Sequence, residues 1–286
     1  MTHLRLYHYK ITNIEINNTV YYLRLVVRLS DYDELNEGTK RRFRKVKDRE
    51  LMETVEEVFN YKTLMALYRL INKGVIDRLH GVVAAGKEAR IYWGEDAEGN
   101  DLAVKIFLVQ TGEFRKGMLK YIEGDPRFRL VRRDRRHIIN VWCSKEFKNL
   151  RKAYEVGVKV PKPIDFKENV LVMEFIDCGE RGKPAPLLKD APPDDPERAL
   201  YEILDNVRLA FKRGRIVHAD LSEYNIMNKS GEFYIIDWGS AVSLDHPEAV
   251  NFLKRDLRNL LNYFKSLGVR GVNFEDLEEY VMGAEP

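Results

Sequence analysis

Residues 218–239, HADLSEYNIMNKSGEFYIIDWG, carry the reading on which the rest of this 286-residue chain turns. Asp220 and Asn225 stand five residues apart on one predicted loop, so a carboxylate and an amide oxygen can surround one point. Asp237 follows an apolar run, Phe233–Ile236, that reads as a buried strand, and it presents a second carboxylate at the strand end. Two carboxylates and an amide are the hard oxygen donors that Mg2+ takes beside a nucleotide's phosphates. Taken singly, these are an Asx-rich turn and a strand-end aspartate. In this order and spacing, chance explains them poorly.

The pattern is H-x-D-x4-N followed by D-x-G, the arrangement of the protein-kinase catalytic and metal loops, with Ala219 where Arg is usual and Trp238 where Phe is usual. Upstream, Ala103-Val104-Lys105-Ile106 places a lysine among apolar residues at a predicted strand end, facing a cleft. In kinases such a lysine holds the α- and β-phosphates while paired to a helix glutamate. Glu146 is the expected partner, and Glu155, near its helix end, the weaker alternative. Gly81-Val-Val-Ala-Ala-Gly86-Lys87-Glu88 nearly spells G-x4-G-K-[ST], but Glu88 replaces the metal-binding hydroxyl and Ala89–Trp93 reads as a strand. A P-loop must open onto a helix so that backbone N–H groups face the phosphates, which excludes that fold.

Around these motifs, residues 19–29 read as a strand and residues 30–43 as a polar linker. Two short helices follow from Asp48, with a break near Asn60 and a stop at Lys73-Gly74. Strands are predicted at Leu79–Ala84, Ala89–Trp93 and Leu102–Phe107, the last two joined by a turn at Gly99-Asn100. Residues 110–136 lack a clean period and read as a long mobile loop. A helix over Ile138–Glu155 precedes strands at Pro163–Phe166 and Val170–Phe175, and the proline-rich stretch 184–196 reads as an extended linker. Helices are then expected at Pro196–Lys212 and Pro247–Leu267. Strands first and helices later predict a bilobal α+β fold with a cleft between the lobes. The expected divisions are an N-terminal extension, 1–47; a helical lead-in and N-lobe, 48–175; a C-lobe, 176–268; and an acidic tail, 269–286.

Composition bounds these readings. Apolar residues at 44% and charged residues at 33% exclude a disordered or collagenous chain. Two distant cysteines, Cys143 and Cys178, indicate neither a disulfide framework nor a zinc cluster. No apolar run approaches the roughly 20 residues of a membrane helix, and the N-terminus lacks a signal pattern, so a cytoplasmic location without membrane contact is expected. The net charge is only +3, yet residues 40–50 hold seven basic side chains against two acidic ones, and residues 113–136 nine against four. Each block alone reads as a solvated surface. Two of them in a nearly neutral chain point to a polyanion, RNA first.

The strings AAGKEARIY (84–92), AVKI (103–106), VMEFI (172–176), HADLSEYN (218–225) and IIDWGS (235–240), with DHP at 245–247, resemble the RIO family of atypical serine/threonine protein kinases, over roughly residues 50–265. The resemblance is closer to the subfamily without an N-terminal winged helix. It implies a β-rich N-lobe, a truncated helical C-lobe, and ATP with Mg2+ (Mn2+ being the alternative ion). Asp220 would orient or deprotonate the incoming nucleophile, Asn225 and Asp237 would hold the metal, and Lys105 would grip the phosphates. Gly86, Lys87 and Glu88 would line the nucleotide, Glu146 would support Lys105, and backbone groups of Glu174 and Ile176 would bind adenine. The family is also described as forming a phosphoaspartate at the position of Asp237, and as acting in maturation of the small ribosomal subunit. That would turn the blocks 40–50 and 113–136 toward pre-ribosomal RNA, with autophosphorylation as a further expectation. Ala84-Ala85 stands where the subfamily has Ser-Thr, so a hydroxyl contact to phosphate is absent.

Only 49 residues follow Asp237 and no A-P-E motif occurs, which argues against generic peptide phosphorylation and for an ATPase or a narrowly targeted kinase. Two rival readings remain: a nucleotide-gated, non-catalytic ribosome assembly factor, and a small-molecule kinase of the aminoglycoside type. The second leaves GKEA and the basic block 113–136 without a role.

Overall fold

A computed structural model describes residues 12–16, 19–23, 60–108, 114–128 and 134–284. Its N-lobe is a seven-stranded sheet in the order β2-β1-β3-β4-β5-β7-β6. The strands are β1 (Thr12–Ile16), β2 (Thr19–Leu23), β3 (Arg78–Ala85), β4 (Ala89–Glu95), β5 (Asp101–Phe107), β6 (Pro163–Lys167) and β7 (Val170–Glu174). Alternation along β5 decides what each face does, because successive side chains of a strand point to opposite sides. Leu102, Val104 and Ile106 join Ala66, Leu67 and Leu70 of α1 (Tyr61–Asn72) in one apolar cluster. Ala103 and Phe107 join the opposite cluster, with Ile138, Ile139 and Trp142 of α3 (Arg135–Glu155). Lys105 has the parity of Ala103 and Phe107, which puts it on the α3 side.

Caps set the helix starts. The Asn60 side chain accepts from Thr63 N–H at 3.2 Å, and that of Asp134 from His137 N–H at 3.0 Å. The turn between β4 and β5 is closed by Asp96, which accepts from the N–H groups of Glu98 and Asn100, with Gly99 at φ +82°.

The C-lobe contains α4 (Pro196–Lys212), α5 (Ala249–Ser266) and α6 (Phe274–Met282), with two small ladders: β8 (Ile216–Val217) with β11 (Val242–Ser243), and β9 (Ile226–Lys229) with β10 (Glu232–Ile235). Leu200, Ile203 and Leu204 meet Leu253, Leu257, Leu260 and Phe264 in its core.

Several expectations are corrected. Residues 110–136 are not one loop: they contain α2 (Phe114–Ile122) and a 3-10 turn at Pro126–Phe128, and α3 begins at Arg135. Met118, Tyr121 and Ile122, at i, i+3 and i+4, are buried, so an apolar stripe hides among the basic residues. Tyr121 packs against Trp142 of α3 and Phe252 of α5, with ring centres 6.2 and 5.4 Å apart.

The acidic segment 269–286 is likewise no mere tail, because α6 packs onto α4 and α5. An Asn273–Asp276 capping box starts α6, and Leu277 and Val281 are buried one turn apart. Within the expected extension 1–47, β1 and β2 join the N-lobe sheet, β1 lying parallel to β3. The rest of that extension, with the basic segment 40–50 and the expected helix before Asn60, lies outside the described residues. Residues 184–196 are anchored rather than a free linker: Leu188 is buried and its N–H donates to Ile226 O at 2.8 Å.

The burial of α6 predicts that Leu277→Ala lowers the unfolding free energy by about 2–5 kcal/mol, as for other large-to-small core changes. Denaturant unfolding checks it; a separate acidic tail would leave the midpoint unchanged.

Candidate active site

Lys105 sits between two carboxylates. Its ammonium donates to Glu146 of α3 at 2.8 and 3.0 Å and to Asp237 at 3.0 Å. Glu155, the alternative partner, pairs instead with Arg151 at 3.7 Å. Burial disfavours the Lys105 charge, but Asp237 and Glu146 outweigh it and hold the lysine above its ordinary pKa. Asp237, whose side chain is half open to the cleft, loses hydration but gains Lys105, and its pKa falls below the usual value. Fully enclosed Glu146 is the weaker acid: burial pushes it up to about 7, against the pull of Lys105. One ammonium thus serves two acids, and the less buried one keeps the charge.

Asp220 and Asn225 lie on the loop between β8 and β9. Ala219 adopts φ +64° and Asp237 φ +63°, left-handed conformations that cost a residue with a Cβ. The first is held by a buried staple: Asp256 of α5 accepts from Ala219 N–H at 2.7 Å and Leu221 N–H at 3.0 Å, and Arg255 donates to the Ala219 carbonyl. Burial pushes Asp256 up to about 7, although both N–H donors favour its anion. Asn225 donates from Nδ2 to the Asp220 carbonyl at 2.8 Å, which leaves Oδ1 as its atom for a metal. Partial desolvation and then Asp237 raise the Asp220 pKa, while Arg255 and Lys120 lower it. His218 is a packing group: its Nε2 lies 2.9 Å from Ile236 O, its ring meets Trp238 edge-on at 4.9 Å, and burial lowers its pKa to about 4.

Trp238, next to Asp237, is anchored in the core. It is buried, and its indole N–H donates to Ile235 O at 3.1 Å.

The turn from β3 to β4 carries Gly86, Lys87 and Glu88, all exposed, and it opens onto strand β4 rather than a helix. Gly86 N–H donates to Ala89 O at 3.0 Å, closing the turn. Partial desolvation and then the nearby Asp237 push the Glu88 carboxyl up to about 7, with Lys105 pulling the other way. At the end of β7, Glu174 N–H donates to Lys162 O at 2.8 Å, and the Ile176 carbonyl accepts from Ala185 N–H at 2.8 Å. An adenine edge at this strap would therefore meet the Glu174 carbonyl and the Ile176 N–H.

Among the described residues, no three His, Cys, Asp or Glu side chains converge as a closed metal cage. Asp237 and Asn225 suit the way Mg2+ is held, by one or two protein oxygens with waters and phosphates completing the shell. No helix among the described residues is long and apolar enough to cross a membrane. Sequence reading brought Lys105, Glu146, Asp220, Asn225 and Asp237 together. It missed the adjacent pair Arg255 and Asp256, and Lys145 and Asn149 one helical turn apart, none of which belongs to a motif.

The chain is similar to known proteins. Residues 90–277 match the RIO domain. The chain is 41% identical over 242 residues to the RIO-type serine/threonine-protein kinase Rio1 of Methanocaldococcus jannaschii, covering 84% of this chain and 81% of that one. It is 38% identical over 241 residues to the Rio1 of Haloferax volcanii, covering 84% and 81%. A crystal structure of the Rio2 kinase–ADP/Mg2+–phosphoaspartate complex from Chaetomium thermophilum shares the fold, with TM-score 0.56, 21% identity, and coverage of 77% and 66%.

The raised Glu146 pKa fixes the sign of a pH effect. The folded state binds this proton more tightly than the unfolded one, so the contribution is full below about 4.5 and is lost as pH rises through about 7. The stability difference between wild type and Glu146→Gln, measured by urea unfolding, therefore moves in favour of wild type as pH is lowered from 7 to 4.5. The slope reaches at most about 1.4 kcal/mol per pH unit; a pH-independent difference would contradict the assignment. Separately, Asp256→Ala strands two buried N–H groups at Ala219 and Leu221, and should lower both phosphoryl transfer and stability, the latter by about 2–5 kcal/mol.

Proposed function

Because the chain belongs to the RIO family of serine/threonine protein kinases, we propose that it moves the γ-phosphoryl group of ATP by way of Asp220 and Asp237, in the service of small ribosomal subunit maturation. The observation that carries the phosphoryl-transfer reading is Lys105 held within 3.0 Å of both Glu146 and Asp237. This is the pairing a kinase needs between its phosphate-gripping lysine, its helix glutamate and its metal aspartate.

Lys105 grips the α- and β-phosphates, Glu146 keeps its ammonium aimed, and the backbone at Glu174 and Ile176 receives the adenine. Asn225 and Asp237 hold Mg2+, or Mn2+ in its place; when bound, the ion neutralises charge on the phosphates. Catalysis is then positioning plus electrostatic stabilisation. In the reading we favour, an Asp237 oxygen bonds to the γ-phosphorus as the bond to the β,γ-bridging oxygen breaks and ADP leaves. Water then cleaves the acyl phosphate, and Asp220 takes its proton. The rise in Asp220 pKa supports a base role.

Support for hydrolysis, or a narrow acceptor range, comes from the short connection beyond Asp237. Five residues on, β11 begins at Val242, so the described residues hold no long activation segment on which an extended peptide could lie. The ribosomal role draws on the basic blocks 40–50 and 113–136, the second of which brings Lys120 into the electrostatic neighbourhood of Asp220. Ribosomal RNA is the partner we propose for both blocks, with the cytoplasm as the location.

The test is a single turnover with γ-labelled ATP and Mg2+, with label followed in free phosphate, hydroxylamine-labile acyl phosphate and acid-stable phosphoprotein. We expect label in the first two pools, lost in Asp220→Ala and Asp237→Asn. Label confined to Ser or Thr would replace the acyl-phosphate route with direct transfer to protein, by which autophosphorylation would also proceed. ATP binding without turnover would favour a nucleotide-gated assembly factor.

A further inference from the structure

The helix that carries Glu146 grips the Asp237 loop a second time, through its backbone. On α3, Trp142, Lys145 and Asn149 are spaced by three and four residues, so they face one neighbour, the segment after Asp237, beside Glu146. Lys145 is fully buried at 0% exposure, and its hydrogen bonds run to backbone: its ammonium donates to the Gly239 carbonyl at 2.8 Å and to the Ala241 carbonyl. Asn149, also buried, donates from Nδ2 to Trp238 O at 3.0 Å and Ala241 O at 2.8 Å, and its Oδ1 accepts from Arg127 Nη1 at 2.8 Å. Asp125 in turn holds Arg127 at 2.6 Å. The loop backbone lies hard against the helix, since a Cβ built on Gly239 would come within 2.8 Å of Trp142 Nε1.

Two side chains of one helix thus satisfy three carbonyls in residues 238–241, the link between Asp237 and β11. The loop's own bond, Ala241 N–H to Trp238 O, is long at 3.3 Å. Gly239 N–H also bonds to the Asp237 carboxylate, so where that carboxylate points depends on where α3 holds Gly239. A buried amino group stripped of its acceptors is costly, so moving α3 away while the loop stays in place is disfavoured.

We propose that Lys145 and Asn149 are positioning residues for the Asp237 carboxylate, which lock α3 and the metal loop into one unit so that metal affinity is set by the helix that also orients Lys105. Helix displacement then removes the lysine's partner and the metal site together. This rests on the proposed role of Asp237 as a metal ligand.

The test uses the full chain as wild type, Lys145→Met, Asn149→Ser and Asp237→Asn. Mn2+ binding in the presence of ADP is read by electron paramagnetic resonance, metal-free ADP binding by calorimetry, and amide exchange over residues 237–242 by mass spectrometry. Lys145→Met and Asn149→Ser should each weaken Mn2+ binding about ten-fold or more, as loss of supporting contacts around metal ligands does elsewhere. Affinity for ADP alone should stay within about two-fold, and exchange should quicken in 237–242 but not in α4. If both variants bind Mn2+ like wild type while Asp237→Asn is weakened, the clamp is packing only and the proposal falls, with the proposed function intact. If Asp237→Asn also binds like wild type, the metal reading fails and the proposal with it. Should Lys145→Met not fold, Asn149→Ser decides alone.

Discussion

One buried ammonium joins the two halves of this chain. Lys105 reaches the cleft because β5 alternates, meets Glu146 because α3 packs on that face of the sheet, and meets Asp237 because the second lobe shares the core on that face. A buried charge without partners is strongly destabilising, so the arrangement holds only while both lobes supply their carboxylates. Two acids around one base also leave a built-in imbalance: Glu146 is forced toward its neutral form, while Asp237 stays ionised and available. A nucleotide's phosphates would compete for this lysine with Asp237, its more exposed partner.

The second constraint is conformational. Ala219 and Asp237 both sit in left-handed backbone, one beside Asp220 and the other itself a site residue. Strained residues persist when their surroundings over-determine them. Here the surroundings are helices: Asp256 and Arg255 of α5 hold the first loop, and Lys145 and Asn149 of α3 the second. Buried polar staples from both lobes thereby keep the candidate site residues in place.

The legible part of this molecule was local. Asp220, Asn225 and Asp237 announce themselves by spacing within 20 residues, and Lys105 by its setting in a short apolar strand. Strands β3 to β7 and most helices were readable from their apolar runs, whereas β1 and the two-residue strands β8 and β11 were not. Helix α2 was not, because three buried residues, Met118, Tyr121 and Ile122, are scattered through a block with nine basic side chains. Helix α6 was lost in an acidic run for the same reason. Asp256 and Lys145 look like ordinary helix-surface charges in the sequence, since their partners lie 35 to 96 residues away and are backbone groups without a residue signature. Long-range side-chain-to-backbone staples leave no motif.

The central claim is that phosphoryl transfer passes through Asp237, the more exposed of the two carboxylates that Lys105 holds. Its most direct measurement is to quench wild-type protein during a single turnover with Mg2+ and ATP, trap acyl phosphate by borohydride reduction, and map the modified residue by peptide mass spectrometry. The account predicts reduction to homoserine at position 237 and at no other carboxylate. Phosphate carried only on a serine or threonine, with Asp237 unmodified throughout the turnover, would contradict it.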